Sequence, residues 1–496
     1  MISKPSAIVI AVAFLFGSVA IAQTNPLNDA LLMSPMSANA HPLLDQVWDL
    51  AVDQVEQEKA IAVLQNAVKA DPNFAIAHEI LAQASLDPAE RVSEQRKASA
   101  TKSHASAAEQ TIVDWFQNAA DHKLIPAITD MNDVLQQYPH DRWVVYLAIK
   151  WLTAQTQYER AAKVYENSGI ADSPGLLNNA AYTYAYMRQF DKAFALMDKY
   201  IAALPKNANP QDSYAEMLRM AGHFEQAIDH YKAALVLNPE FYSSQFGIAD
   251  TYSLIGDQAS ARREYEAAFR KFSLPELDRI VWKTREATTY VRDGDLKSAD
   301  RSFHAIADYA RGKRLSQVEA DSYRQMAMYQ IRSQQAFLYL SKAENALREG
   351  NNMMRAAAQQ ELAQILRARI ELTVKTGDEQ MAEATLTQLA ELSNTSDDKL
   401  IDAAHHGAAG AVLFSRHDYK GAIVHLAEDA NNPLSLRLLA MAYRNSGYIS
   451  ESKSANDTLA NLNDPTLEQA LIVPTIRKCI QNPSCDSSIQ KVSYKH

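Results

Sequence analysis

Apolar residues recur through most of the chain at the three- and four-residue intervals that place them on one face of an α-helix. In residues 243–272, one apolar stripe ends before Gly256 and a second stripe follows it. Glycine adopts the left-handed conformation of a helix end at little cost, so this segment is predicted to be two helices joined by a tight turn. The stripes consist of Ile248, Ala249 and Tyr252 in the first helix and of Ala261, Tyr265 and Ala268 in the second.

This hairpin pattern repeats with a period of 34 residues. Ala193, Ala227 and Ala261 lie 34 residues apart, and so do Gly222 and Gly256. The same interval separates Tyr231 from Tyr265, Ala234 from Ala268, and Pro205 from Pro239. Because several residue types share one period, the chain is predicted to be an array of helical hairpins that bury their apolar faces against one another.

The unit from Tyr214 to Pro239 resembles a tetratricopeptide repeat. It carries the family pattern at Tyr214, Ala215, Leu218, Gly222, Ala227, Tyr231, Ala234 and Pro239. The preceding unit departs from the pattern, with Arg188 at the turn and Met197 at the second aromatic position. The resemblance implies an all-α fold, a right-handed α-solenoid of antiparallel helix hairpins. It also implies that the first helices line a concave groove.

The strength of the repeat pattern divides the chain into predicted segments. One Asn-Pro pair and one Ser-Pro pair predict that residues 23–43 are a flexible linker. The clearest hairpins lie in residues 123–312. The other predicted segments are N-terminal repeats at 44–122 with an insertion at 86–110, divergent hairpins at 313–376, C-terminal repeats at 377–472, and a tail at 473–496.

Residues 1–22 have the order of a secretory signal. Lys4 precedes a short apolar run, and the small residues Ala20-Ile21-Ala22 form a cleavage site. An uncleaved anchor is the alternative, although the cleavage site favours removal. The mature chain is therefore expected to be exported without a membrane span, to the periplasm rather than the medium.

Composition and motifs argue against nucleic-acid binding and catalysis. The net charge of −10 disfavours a phosphate-binding protein. The sequence has no GxGxxG, GxxxxGK[ST] or GxSxG motif, and His78-Glu79 does not continue to HExxH because the fifth residue is Ala82. We expect no enzyme activity and no cofactor, with a protein or peptide as partner.

The groove-facing positions of the central hairpins combine rings with polar groups, as a peptide-binding strip does. Lys150 and Asn178 are the nearest match to the carboxylate clamp of the family, but Asp212 and Glu216 place negative charge where further cations belong. A neutral or mildly basic segment is therefore the expected ligand. The predicted groove residues are Trp143, Tyr146, Lys150, Asn178, Tyr182, Tyr186, Arg219, Met220, Phe246 and Asp250.

Four histidines cluster near the C-terminus, at positions 405, 406, 417 and 425. Neighbouring residues of a helix point about 100° apart, which makes joint ligation by His405 and His406 awkward. No acidic residue is identified at helical spacing to complete a site. Solvated surface histidines are therefore the preferred interpretation and no metal site is predicted, with a metal site as the alternative.

Cys479 and Cys485 are the two cysteines of the chain. Asn482-Pro483 between them favours a turn, so a small-loop disulfide is predicted for an exported protein. Two free thiols are the alternative.

These observations predict a non-enzymatic interaction module that binds peptide segments in the groove of a solenoid in the cell envelope. Two alternatives remain. One is a structural scaffold of an envelope or secretion assembly that binds through its convex side, and the other is a metal-dependent protein built on the histidine cluster.

Overall fold

The computed structural model describes residues 41–121, 123–350, 353–396 and 398–481. These residues form α-helices and connecting turns, with no strand among them. The predicted signal at 1–22 lies outside the described residues, as does most of the predicted linker. No helix in the described ranges has the length and apolar character needed to cross a membrane.

Helices α1 to α25 follow one another along the chain. The first twelve are α1 His41–Val47, α2 Gln57–Ala70, α3 Ala75–Ala84, α4 Pro88–Thr101, α5 Ala107–Ala120, α6 Leu124–Gln137, α7 Arg142–Ala154, α8 Tyr158–Ser168, α9 Pro174–Tyr186, α10 Phe190–Ala203, α11 Asn209–Ala221 and α12 Phe224–Leu237. The others are α13 Tyr242–Ile255, α14 Gln258–Lys271, α15 Glu276–Asp293, α16 Leu296–Lys313, α17 Ser316–Tyr329, α18 Ser333–Glu349, α19 Arg355–Thr376, α20 Glu379–Ser396, α21 Lys399–Ser415, α22 Tyr419–Glu428, α23 Pro433–Asn445, α24 Ile449–Ala460 and α25 Leu467–Gln481. A π-helical turn, Trp48–Asp53, follows α1, and a 3₁₀ turn, Lys102–His104, follows α4.

From α3 to α24, each odd-numbered helix packs against the next helix as a hairpin, and each hairpin packs against its neighbour. This arrangement confirms the predicted all-α solenoid. The segment predicted to be an insertion, 86–110, contains α4, which pairs with α3 as the second helix of a hairpin. The predicted linker of 23–43 also ends in helix, because α1 begins at His41.

The repeated alanines lie where paired helices approach most closely. Ala193, Ala227 and Ala261 are each fully buried. The repeated ring lies between hairpins: a methyl group at Gly247 of α13 would lie 2.4 Å from the ring of Tyr231 in the preceding hairpin. Small residues thus set the spacing within a hairpin, and rings fill the space between hairpins.

The turns inside the central hairpins, from α7 to α16, each contain a residue with positive φ, and the chain does not always supply glycine. Gly222 and Gly256 adopt φ values of +87° and +107°. The predicted departure at Arg188 keeps the same turn, with a φ of +59°, and Thr156 does so at +56°. A side chain in this region costs about 1–2 kcal/mol, so packing between the helices rather than the turn residue determines the hairpin.

The N-terminal segment packs onto the central hairpins through the π-helical turn. The amide of Gly175 donates to a carboxylate oxygen of Asp53 over 2.8 Å, and the hydroxyl of Tyr200 donates to the carbonyl of Asp53 over 2.7 Å. The ring of Trp48 lies edge-on to Trp143, with 4.9 Å between centroids. The turn therefore closes one end of the inner surface of the array.

Substitution of Gly175 tests this contact. A methyl group there would lie 2.4 Å from the carbonyl oxygen of Val52, so Gly175→Ala is expected to lower the free energy of unfolding by about 1–3 kcal/mol. Gly312→Ala is the matched control, because no atom lies within 4 Å of the added methyl group. The control should leave stability unchanged or raise it by up to about 1 kcal/mol in urea unfolding. Equal stability of the two variants would contradict the packing described.

Candidate binding surface on the concave face

The first helices of the hairpins form the inner side of the array. Successive first helices contact one another, as α7 does α9, α9 does α11, α11 does α13 and α13 does α15. No comparable contact joins successive second helices in the part of the chain that the structure describes. Hairpins that touch along one side and separate along the other curve toward the touching side. The first helices therefore line a concave face, as the resemblance implied.

The ten predicted groove residues differ in how far solvent reaches them. Lys150 and Tyr186 are exposed, and Tyr146 and Tyr182 are half-buried. The other six are buried: Trp143, Asn178, Arg219, Met220, Phe246 and Asp250. The peptide-binding role of all ten stays a prediction, but burial limits which of them a partner can reach.

Phe246 packs in the core between hairpins. Its ring stacks on that of Trp282, with 4.6 Å between centroids and 7° between planes, and none of its side chain is exposed. Trp143 is covered by Trp48 of the N-terminal segment. Some positions of each first helix face the groove, and others pack against neighbouring parts of the chain. The rings of Trp143 and Phe246 are of the second kind and belong to the buried core.

Asp250 is part of a buried polar cluster rather than a free groove acid. It accepts hydrogen bonds from the hydroxyl of Tyr265 and from the guanidinium of Arg285, which also stacks over Trp282 at 4.5 Å. A buried carboxylate with these partners is held in place by them. We therefore assign Asp250 a role in joining α13 to α15.

A distant segment of the same chain covers Arg219 and Met220. The guanidinium of Arg219 donates to the carbonyl of Asn463 over 3.0 Å, and the amide of Asn463 donates to the carbonyl of Met220 over 3.1 Å. Arg188 donates to the carbonyl of Asn461 over 3.0 Å. Residues 461–464 follow α24. Asn461 lies in a turn, and residues 462–464 have no regular secondary structure. We call residues 461–464 the inner segment. The backbone of this segment occupies the part of the groove next to Arg188, Arg219 and Met220.

Helix α25 holds the inner segment in position. The guanidinium of Arg477 donates to the carbonyls of Ala460 and Leu462 over 2.9 and 3.0 Å, and to that of Leu254 in α13 over 3.2 Å. It also donates to the side chain of Asn463. The division predicted at 472/473, between repeats and tail, falls inside this helix. The polar run before Pro465 was the available sequence signal that the repeats end there.

An open strip of tyrosines adjoins the inner segment on the concave face. The rings of Tyr158 and Tyr186 stack with centroids 5.3 Å apart, and that of Tyr182 lies 6.2 Å from Tyr186. Burial, and then the charge of Asp464 in the inner segment, raise the pKa of Tyr158. We call Tyr146, Lys150, Tyr158, Tyr182 and Tyr186 the tyrosine strip.

Two ionisable side chains of this face respond to the surrounding protein. Lys150 is exposed, yet the protein around it lowers its pKa by desolvation, as expected for a cation inside a concavity. Burial raises the pKa of Asp212 to about 7, although the hydroxyl of Ser244 donates to it over 2.6 Å. Asp212 is then only partly charged at neutral pH. Glu216, the other acidic residue predicted in this region, accepts from the hydroxyl of Tyr182 over 2.7 Å and from the guanidinium of Arg219 over 3.2 Å.

A second concavity lies between the C-terminal hairpins. It has a volume of about 290 Å³ and is bounded by α17, α18, α19, α21, α23 and α25. Met328, Leu372, Leu438, Met441 and Leu471 give it apolar walls, and Arg437 adds a cation whose pKa is lowered to about 10 by burial. The size and character suit one or two apolar side chains of a larger ligand.

The histidine cluster is closer together than the sequence interpretation allowed. Asp402 precedes His406 by one helical turn, and their side chains approach to 3.6 Å; this is the acidic partner that sequence reasoning missed. The rings of His406 and His425 meet across the hairpin of α21 and α22. Burial, and then the neighbouring imidazole of His406, lower the pKa of His405 and His425.

Cys479 lies in α25 with 8% of its surface exposed. Cys485 lies outside the described residues, and the predicted disulfide between the two stays a prediction.

Removal of the Asn463 side chain tests the docking of the inner segment. Asn463→Ala deletes a buried amide that joins Met220 to Arg477, so the segment and α25 should lose about 1–3 kcal/mol of local stability. Amide hydrogen exchange in residues 467–481 should accelerate roughly tenfold or more, while that in α17 and α18 stays unchanged. Ser454→Ala, at an exposed position of α24, is the control and should leave every rate as in the unaltered protein. Unchanged exchange in Asn463→Ala would show that these bonds do not hold the segment.

Comparison with known proteins finds similar helical arrays at low sequence identity. A tetratricopeptide repeat protein from Parabacteroides merdae aligns with 54% of this chain and 92% of its own, at 16% identity and a TM-score of 0.35. Yeast Tom70 aligns with 92% of this chain and 99% of its own, at 16% identity and a TM-score of 0.40. No family profile and no curated protein matches the chain. The description of the chain as an α-solenoid of hairpins that resemble tetratricopeptide repeats therefore rests on its own repeat and helix pairing.

Proposed function

We propose that this protein is a non-enzymatic binding scaffold that holds an extended segment of a partner protein along its concave face. The observation that carries the proposal is the inner segment, because the face already binds a non-helical stretch of polypeptide there. Arg188 and Arg219 donate to main-chain carbonyls, which every peptide offers regardless of its side chains. A face with this chemistry is suited to extended chains in general.

The partner's segment is assigned to the tyrosine strip, which continues from the inner segment and is open to solvent. Tyr186 has 44% of its surface exposed. Aromatic rings supply large contact areas at low entropic cost, and an aromatic contact adds about 0.5–1.5 kcal/mol beyond area burial. Lys150 adds an exposed positive charge, whereas Glu216 beside Tyr182 is paired with Arg219 over 3.2 Å. A segment without strong net charge, with apolar or aromatic side chains between polar ones, fits this surface best.

The proposed location rests on the sequence alone. The signal-like residues 1–22 support export, and the periplasm is the proposed compartment. The absence of catalytic motifs from the sequence supports a role in binding rather than in catalysis.

A structural scaffold that assembles through its convex side is the competing function. Val236, on the second helix α12, has 82% of its surface exposed, and Val424 on α22 has 66%. Single exposed apolar residues are common on soluble proteins, so they favour this alternative less than the inner segment favours groove binding.

Photo-crosslinking in the native host separates the two functions. A crosslinking amino acid at position 186 should capture a partner if the concave face binds, whereas one at position 236 should capture it if the convex side does. The captured protein, identified by mass spectrometry, then serves as the ligand in a quantitative binding assay. Capture from position 236 alone would contradict the proposal.

Substitution of the strip then measures its contribution. Tyr186→Ala should weaken binding of the captured partner by about three- to tenfold, since a contacting ring is lost, and Tyr182→Ala combined with it should weaken binding further. Tyr309→Ala is the control, because Tyr309 is 40% exposed on α16, a second helix. Phe246 is unsuitable for this experiment because its truncation would open the core. Equal affinity of the Tyr186 and Tyr309 variants would remove the strip from the binding surface.

A further inference from the structure

Three potential metal ligands converge on α21, and a fourth lies next to them on α22. Asp402, His405 and His406 lie on successive turns of one face of α21, and one ligand atom from each lies within 4.8 Å of the others. His425 reaches the same place from α22, and its ring centroid lies 5.0 Å from that of His406. All four side chains are half-buried, so an ion and its water ligands can reach them. This cluster lies outside the surface assigned to partner binding.

The distance between two imidazole nitrogens is close to that of a metal site. Nδ1 of His406 lies 3.0 Å from Nδ1 of His425. Two nitrogens that bind one tetrahedral ion at about 2.0–2.1 Å lie roughly 3.3–3.4 Å apart. The rings must therefore separate by only a few tenths of an ångström to admit an ion. In the structure the same two nitrogens are within hydrogen-bond distance of each other.

We propose that His406 and His425 bind a divalent transition-metal ion of the zinc class between α21 and α22. Imidazole nitrogens favour zinc, copper and nickel, whereas magnesium and calcium favour oxygen ligands. Because one histidine comes from each helix, the ion joins the two helices of this hairpin. His405 lies beside the pair, with its ring centroid 5.5 Å from that of His406.

Asp402 orients His406 for this role. Its carboxylate lies 3.6 Å from Nε2, the nitrogen of His406 that faces away from His425. Ligating histidines commonly donate their second N–H to a carboxylate, which fixes the ring and strengthens the ligand nitrogen. Lys399 also contacts the carboxylate of Asp402, over 3.2 Å. Asp402 is therefore a positioning residue that acts through His406.

Zinc binding to the complete mature chain tests the site. The protein, without a histidine tag, is freed of metal by dialysis against a chelator and titrated with Zn²⁺ at neutral pH by isothermal calorimetry. One Zn²⁺ per chain is expected. His406→Ala and His425→Ala should each weaken binding by more than about tenfold, and Asp402→Asn by about tenfold through loss of the orienting carboxylate.

The matched control is His417→Asn. His417 lies in the turn between α21 and α22 at a φ of +61°, which asparagine tolerates, so this variant removes a nearby imidazole while it keeps the turn. It should bind Zn²⁺ like the unaltered protein. Circular dichroism establishes that each variant is folded, and His425→Gln, which keeps a side chain of similar length, replaces His425→Ala if that variant unfolds.

Three results would overturn the proposal. The first is an unaltered chain that takes up no Zn²⁺ at millimolar concentration. The second is full affinity in folded variants of His406 or His425. The third is a loss in His417→Asn as large as that in the other variants, which would show that the histidines bind zinc individually. Neither support for this site nor its failure bears on the binding function of the concave face.

Discussion

The close approach of paired helices is the constraint on which the rest of the structure depends. Fully buried alanines at a fixed interval allow two helix backbones to approach, and a larger side chain there would push them apart. Because the interval is shared by successive hairpins, each hairpin presents nearly the same surface to the next, and the small rotation between them accumulates into curvature. Turn residues are secondary, since Arg188 and Thr156 adopt the conformation that glycine adopts elsewhere.

Curvature produces an interior, and much of that interior is occupied by the chain itself. First helices carry buried ion pairs, such as Arg324 of α17 with Glu361 of α19 at 2.8 Å, and Arg367 of α19 pairs with Asp429 at the end of α22 over 2.9 Å. Charges removed from water need partners, so polar side chains on these helices are mostly committed to one another or to main-chain groups. The surface left for another protein is therefore smaller than the concave face as a whole, and its character comes from tyrosines rather than from charged residues.

The hairpins could be predicted from the sequence because their causes are local. Alanine spacing, turn glycine and apolar stripes all lie within one repeat, and the assignment of first helices to the inner side followed from the family resemblance. Whether an individual groove residue is buried or exposed could not be predicted in this way. Phe246 is covered by Trp282 of the next hairpin, and Arg219 by Asn463, which is 244 residues away in the sequence. No periodicity encodes a contact at that distance. The pairing of His406 with His425 was missed for a related reason, since helical spacing describes one helix and not the way two helices face each other.

The position of α25 has a consequence for how the protein matures. Arg477 bonds to Leu254 of a hairpin that is synthesised more than two hundred residues earlier, and Asn463 bonds to Met220 over a similar interval. Hairpins can form one after another as they emerge from the ribosome, because each depends mainly on its neighbours. The contacts of the concave face with the inner segment and α25 can form only after α25 has been synthesised. Until then the polar groups of the concave face that make these contacts are exposed to solvent. A nascent chain thus passes through a stage in which the earlier hairpins have formed but the concave face lacks the inner segment and α25. Chaperones would bind the chain in that state.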